Sequence, residues 1–189
     1  LVEDNMITGV VVFGQPSPSI QKYAFKERDF RLYELSRLVV QSKAKNASSF
    51  LVGNALKMLE APCAIVSYAD MEMGHHGYIY QATNWIYTGS TVSHDHMYLI
   101  DGKRVHAMTL RDRGITNPKE WARENNIETV KPFPKHRYFF FVGNKRDKKV
   151  MQSKLNYALI DQYPKGEQDR YDDGETICKY VSFHKEIQE

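Results

Sequence analysis

The segment 63–89 most constrains the fold of this chain, because an apolar run there passes directly into a polar turn and then into a helical pattern. Residues 63–66 have the length and β-branched content of a buried strand. In the following segment 74–82, His76 and Tyr80 are four residues apart, which places them on one face of a helix. Ligand sites in α/β proteins form beyond the carboxyl ends of strands, so the segment predicts a site around Asp70.

Length and composition are those of an ordinary globular protein. The 189 residues suffice for one domain with a buried core, and 42% of them are hydrophobic. No apolar run reaches the about 20 residues that span a bilayer, and the two cysteines lack the spacing of a disulfide framework. We expect a protein of the reducing cytoplasm without membrane association. The pattern predicts one domain over residues 1–163 and a polar C-terminal extension over 164–189.

The charge is distributed unevenly, although the net charge of +3 alone does not indicate a nucleic-acid-binding protein. Basic residues gather in the loop 41–46 and again before the aromatic run 138–141. Basic and aromatic side chains in alternation are typical of surfaces that follow a phosphate backbone. Solvated loops are the alternative interpretation. The candidate DNA contacts are Lys43, Lys45, Lys135, His136 and Arg137.

A strand over 32–40 and a helix over 47–60 flank the basic loop. On this strand Arg37 shares a face with apolar neighbours, so it is either ion-paired or directed into a site. Asn46, Ser48 and Ser49 are candidate caps of the helix.

Other local patterns complete the expected fold. A turn at Asp4 and Asn5 opens the chain, and a hairpin turn is predicted at Asp101 and Gly102. Residues 6–13 and 176–183 read as strands, 14–19 as irregular, and 118–125 and 147–157 as helices. His94 and His96 lie on one side of a predicted strand and could bind a metal, although no third ligand has a recognisable spacing.

Five motifs occur in order within residues 9–89: GVVVFGQPS, ELSRLVV, NASSFLVGNALKML, VSYAD and GHHGYIYQATNW. A weaker match, KHRYFFFVGNKRDKK, extends to about residue 149. Together they resemble the Mom family of phage DNA-modification proteins. The resemblance implies an α+β, GNAT-like acetyltransferase fold, with a mixed central sheet flanked by helices. It also implies that a helix and a strand precede the first residue of this chain in the complete domain.

The resemblance further implies a function, the conversion of adenine in phage DNA to an N6-carbamoylmethyl form that protects it from host restriction. Functional positions of the family match Arg37, Ser49, Asp70, Tyr80 and His75. Double-stranded DNA is then the expected partner. The oligomeric state stays open, with a homodimer as one alternative.

These residues suggest distinct roles. Asp70 is the candidate acceptor of a hydrogen bond or proton from N6, and capping of a following helix is its structural alternative. Tyr80 is the candidate acid or the group that orients the donor. Arg37 could neutralise a carboxylate or phosphate of the donor, and Ser48 and Ser49 join it as candidate donor-binding residues.

The donor itself stays open. In GNAT enzymes the loop before this helix carries R/Q-x-x-G-x-G/A, whose backbone amides hold coenzyme A, whereas QSKAKNASS contains no glycine. Acetyl-CoA, another two-carbon donor and a metal ion all remain candidate cofactors. The alternatives to DNA modification are an acyl-CoA-dependent N-acetyltransferase, which the missing glycines disfavour, and a non-catalytic DNA-binding module.

Overall fold

The computed structural model of the protein describes residues 1–91 and 96–166. Strands and helices follow one another in this order: β1 (Val2–Glu3), β2 (Met6–Ile7), β3 (Gly9–Gly14), α1 (Pro18–Tyr23), β4 (Arg31–Val40), α2 (Ala47–Lys57), β5 (Cys63–Asp70), α3 (Tyr78–Ala82), β6 (Ile86–Ser90), β7 (Met97–Ile100), β8 (Lys103–His106), α4 (Ala107–Asp112), α5 (Pro118–Glu124), β9 (Thr129–Val130), β10 (Lys135–Val142) and α6 (Lys145–Lys154).

A five-stranded mixed sheet with the order β3-β4-β5-β10-β6 forms the centre of the protein. Strands β4 and β5 are parallel, and the other neighbouring pairs are antiparallel. The connection between the parallel strands is α2, as a parallel crossover requires. The mixed sheet and its flanking helices confirm the predicted α+β class.

The parallel pair β4–β5 is short. Its register runs from Arg31 opposite Cys63 to Glu34 opposite Val66. Beyond this point β4 stays paired with β3, and β5 stays paired with β10. The Ser67 hydroxyl donates to the Leu35 carbonyl at 2.8 Å, so a side chain bridges the strands where the ladder ends. The carboxyl ends of β4 and β5 therefore border a gap in the sheet.

Helices cover both faces of the sheet, and each face has its own apolar core. On one face, here called the α1/α6 face, Val66 and Phe139 pack with Ile20 of α1 and Met151 of α6. On the opposite α2/α3 face, buried residues include Val52 and Leu56 of α2, Ile65 of β5, Tyr80 of α3 and Trp85. Successive residues of β5 thus alternate between the two cores.

A second sheet, β8-β7-β9, lies in the insertion between β6 and β10 and packs with α4 and α5 around Tyr98, Leu110 and Ala122. The hairpin predicted at Asp101 and Gly102 is confirmed, and both residues have the positive φ (50° and 73°) that such a turn needs.

Several predicted boundaries are wrong. Residues 6–13 form two short strands separated at Thr8, and α2 ends at Lys57 rather than at residue 60. Helix α1 begins inside the segment predicted to be irregular, because the Ser17 hydroxyl accepts a hydrogen bond from the Ile20 amide and Pro18 occupies the first turn. Helix α6 begins two residues before the predicted start, because Asn144 forms a capping box.

The described part of the predicted C-terminal extension lies against the domain. Gln81 Nε2 donates to the Pro164 carbonyl at 3.1 Å, and the Tyr78 hydroxyl donates to the Gly166 carbonyl at 2.7 Å. The strand predicted over 176–183 lies outside the described residues. Within the described ranges, no helix is both long enough and apolar enough to cross a membrane.

Candidate active site

Asp70 is the last residue of β5, and two contacts hold its carboxylate. Oδ1 accepts a hydrogen bond from the Glu72 amide at 3.0 Å, and Oδ2 lies 3.2 Å from Nζ of Lys135. The side chain keeps 33% exposure, so it stays accessible to a ligand. The alternative in which Asp70 caps a helix from residue 73 or 74 is wrong, because α3 begins only at Tyr78. The carboxylate stabilises a turn instead.

His75 lies close to Asp70 along the backbone. Its amide donates to the Asp70 carbonyl at 3.0 Å, which closes the turn that follows β5, and the residue is half-buried. The structure therefore brings together Asp70 and His75, two of the five predicted catalytic residues, at one strand end.

Tyr80 lies on the α2/α3 face of the sheet, whereas Asp70 lies on the α1/α6 face together with Val66. Its buried hydroxyl is 2.7 Å from the Ser67 hydroxyl, and Ser67 in turn donates to the Leu35 carbonyl. Burial raises the pKa of the Tyr80 phenol, although the hydrogen bond with Ser67 acts in the opposite direction. Ser67 and Asp70 are three residues apart on one strand, so they point to opposite faces. The gap between β4 and β5 borders both positions.

Arg37 lies on β4, and Ser48 and Ser49 lie in the first turn of α2. Arg37 is exposed, and its Nη1 donates to the Ser36 carbonyl at 3.1 Å. The β-bulge in the β3–β4 pairing near Ser36 interrupts the alternation that set Arg37 among apolar neighbours. Ser49 donates to the Asn46 carbonyl at 3.0 Å, and Ser48 is half-buried. Asn46 is the N-cap of α2 through a left-handed backbone, without the predicted side-chain hydrogen bond.

The predicted DNA contacts divide into exposed and internal residues. Lys43 and Lys45 are exposed in the loop before α2, and Lys135 is exposed beside Asp70. His136 is buried, and its Nδ1 lies 2.9 Å from the Tyr87 hydroxyl. Burial lowers the pKa of the His136 imidazole. Burial and this hydrogen bond disfavour a direct phosphate contact by His136.

Arg137 is also held inside the protein. Its Nε donates to Thr88 Oγ1 and its Nη2 donates to the Thr88 carbonyl, both at 3.0 Å. The guanidinium carbon lies 3.4 Å from the ring centre of Tyr157. Three interactions therefore fix the plane of the Arg137 guanidinium. This side chain is less available for a phosphate contact than an exposed cation.

A cleft of about 440 Å³ opens on the α1/α6 face and contains residues that the sequence did not single out. Its lining includes Ser17, Glu34, Tyr68, Lys135, Arg137 and Tyr157. Burial raises the pKa of the Glu34 carboxyl and the pKa of the Tyr68 phenol. Tyr68 could have been found from the sequence, because it lies two residues before Asp70 and so shares its face. Glu34 becomes visible only with the order of the strands.

The described residues contain no group of three or more His, Cys, Asp or Glu side chains that could hold a metal ion. Of the predicted histidine pair, His96 is exposed, and His94 lies outside the described residues. Cys63 is fully buried in the sheet, and burial raises the pKa of its thiol to about 11. At neutral pH this cysteine is a protonated core residue rather than a nucleophile.

Comparison with known proteins gives a consistent family assignment. The profile described as the Mom protein family matches residues 1–165. The chain is also 30% identical over 168 residues to the protein named methylcarbamoylase mom of Escherichia phage Mu, an alignment that covers 84% of this chain and 68% of that relative. The match includes both faces of the sheet, the gap between β4 and β5, and the cleft. The chain therefore belongs to the Mom protein family.

Proposed function

We propose that this protein is a DNA-modifying enzyme of the Mom type, which converts adenine to N6-carbamoylmethyladenine and so protects phage DNA from host restriction. Family membership and the similarity to a methylcarbamoylase support this function. The structural observation that carries it is the Asp70 carboxylate, held by Lys135 and a turn at the end of β5. Double-stranded DNA is the substrate, and the host cytoplasm is where such a substrate is found.

The chemistry explains why a fixed carboxylate is needed. The lone pair of adenine N6 is delocalised into the ring, so the amine is a poor nucleophile. The enzyme must hold N6 in a reactive pose and accept a proton from it. The base must also leave the helical stack, at a cost of a few kcal/mol. In this proposal Asp70 accepts the N6 proton, and His75 shapes the turn that presents Asp70.

In this proposal the other candidate residues bind or orient the donor of the carbamoylmethyl group. Tyr80 borders the gap from the α2/α3 face, and Ser48 and Ser49 lie in the first turn of α2, whereas Arg37 lies on β4 opposite Val12. The base approaches from Asp70, and the donor approaches from α2, so the two would meet at the gap. A parallel pair joined by a helix and opening into such a gap supports the GNAT-like assignment. The loop before α2 lacks glycine, which supports a donor other than acetyl-CoA.

The function is tested by mass analysis of nucleosides from DNA isolated from cells that express the protein. We expect a deoxyadenosine shifted by the mass of a carbamoylmethyl group, and cells with an empty vector supply the control. Unmodified DNA together with turnover of acetyl-CoA by the purified protein would contradict the proposal and favour an N-acetyltransferase.

Binding to duplex DNA is expected to depend on salt through the exposed loop lysines. If Lys43 and Lys45 contact phosphates, the double alanine variant should flatten the plot of log affinity against log salt by about two units, about one for each contact. The slope is measured by fluorescence anisotropy with a labelled duplex at several salt concentrations.

Lys26 and Arg28 supply a matched control for this experiment. Both are exposed, and they lie before β4, about 30 Å along the strand from the loop that carries Lys43 and Lys45. Their double alanine variant removes the same charge and should keep the wild-type slope. Equal slopes for all three proteins would remove the loop before α2 from the DNA interface.

A further inference from the structure

The cleft on the α1/α6 face contains a carboxylate that the proposed roles leave unused. Glu34 occupies the last position at which β4 and β5 pair, opposite Val66, so it lies at the edge of the gap. It is half-buried, and the Ser17 amide donates a hydrogen bond to it. Partial burial of a carboxylate costs free energy unless hydrogen-bond partners compensate for it.

The groups around Glu34 combine donors with flat surfaces. Tyr68 faces it from β5, and Lys135 and Arg137 belong to the same cleft on β10. Burial and the nearby charge of Glu34 raise the pKa of Tyr68, so its hydroxyl stays protonated and can donate. Arg137 and Tyr157 stack at 3.4 Å and form a rigid planar wall. The cleft therefore offers one acceptor, several donors and a stacking surface.

This combination fits an aminopurine better than a simple anion. Adenine is planar, donates two hydrogens from N6 and accepts hydrogen bonds at its ring nitrogens. Base-modifying enzymes bind a flipped base by such edge contacts and by stacking. The volume of about 440 Å³ lies in the range of about 300–1,000 Å³ typical of small-ligand sites. A free phosphate would suit Lys135 but would be repelled by Glu34.

We propose that this cleft receives the flipped target adenine, with Glu34 accepting a hydrogen bond from N6 and the Tyr68 hydroxyl donating to a ring nitrogen. The inference rests on the proposed function and names the pocket that holds its substrate. Asp70 takes the second N6 hydrogen at the rim of the cleft. Lys135 connects the two carboxylates, because it pairs with Asp70 at 3.2 Å and its charge also acts on Glu34.

The substitution Glu34→Gln tests the inference while keeping an oxygen for the Ser17 amide. Modified deoxyadenosine in DNA from expressing cells is expected to fall about tenfold or more, the size of a lost charge-assisted hydrogen bond. The matched control is Glu60→Gln, which removes an exposed carboxylate paired with Arg31 at 3.0 Å on the surface at the start of β4, outside the lining of the cleft. That control should modify DNA at the wild-type level.

A binding measurement separates recognition of N6 from a structural role. Ligand-observed NMR should show that the purified protein binds deoxyadenosine more tightly than purine deoxyriboside, which lacks the N6 amine. Glu34→Gln should weaken this preference about tenfold or more, because its neutral oxygen accepts a weaker hydrogen bond from N6 than a carboxylate does. Tyr68→Phe should weaken both ligands alike and lower modification, and it carries the test if Glu34→Gln does not fold.

The outcomes distinguish the two proposals. If the wild-type protein modifies DNA and Glu34→Gln or Tyr68→Phe modifies it equally well, the adenine pocket is wrong. The proposed function would then still stand. Absence of deoxyadenosine binding to the wild-type protein would also overturn the pocket. Unmodified DNA from wild-type cells would instead overturn the proposed function, and the pocket with it.

Discussion

Replacing Asp70 with asparagine is expected to lower adenine modification by about 100-fold or more, the usual size of a general-base contribution. Asparagine keeps an oxygen that can accept the Glu72 amide, so the turn should persist, but an amide cannot accept the N6 proton. The variant also loses the ion pair with Lys135. Both side chains are partly exposed, so that loss should cost no more than about 1 kcal/mol of unfolding free energy.

The measurement combines nucleoside mass analysis with urea unfolding of the purified variant. Asp29→Asn is the matched control, because Asp29 forms a comparable surface pair with Lys154 at 2.9 Å and lies away from the gap. It should lose a similar small amount of stability and no modification. A folded and fully active Asp70→Asn protein would end the catalytic assignment of Asp70.

Local signals in the sequence were sufficient to predict those elements that depend on residues close to one another in the chain. The helix predicted over 118–125 begins at Pro118 as α5, and the side chain of Asn117 before it accepts a hydrogen bond from the Glu120 amide. The run 63–66 identified β5, although the strand continues to Asp70. Caps, hairpin turns and apolar runs each act within a few residues, which is why a single sequence reveals them.

Contacts between distant strands could not be predicted in the same way. Alternation along β10 separates His136 from its neighbour Arg137, but it does not reveal that His136 meets Tyr87 or that Arg137 meets Thr88. These partners depend on β10 lying between β5 and β6 in the sheet, although β10 follows β6 in the chain. The place of Glu34 in the cleft was not predicted for the same reason, because it depends on which strands are neighbours in the sheet.

The start of α3 shows how glycine overrides helical spacing. His76 and Tyr80 are four residues apart, but Gly74 and Gly77 both have positive φ, and the helix begins only at Tyr78. The backbone before Gly77 therefore forms a turn that carries His75 back to Asp70. The glycines of the motif GHHG thus have a backbone role, and the two positions should differ in how strictly they require glycine.

Gly77→Ala is expected to cause the largest loss of stability in this chain's candidate site, about 2–5 kcal/mol of unfolding free energy. Gly77 has φ of +74°, where an L-residue costs about 1–2 kcal/mol. An added Cβ would also lie 2.5 Å from Cε2 of Tyr138. That ring is fully buried and its hydroxyl donates to the His76 carbonyl at 2.5 Å, so it cannot move aside freely. Overpacking of this kind adds about 1–3 kcal/mol.

Gly74→Ala separates the two contributions, because Gly74 has nearly the same φ of +67° but no atom within 4 Å of an added Cβ. Only the backbone strain applies there, so we expect a loss of about 1–2 kcal/mol. Urea unfolding of both variants measures the difference, which is the steric contribution of Tyr138. Equal losses would contradict the close packing of Gly77 on Tyr138. A larger loss for Gly77→Ala would mean that the second glycine of the motif is required because the turn after β5 is built directly against the Tyr138 ring.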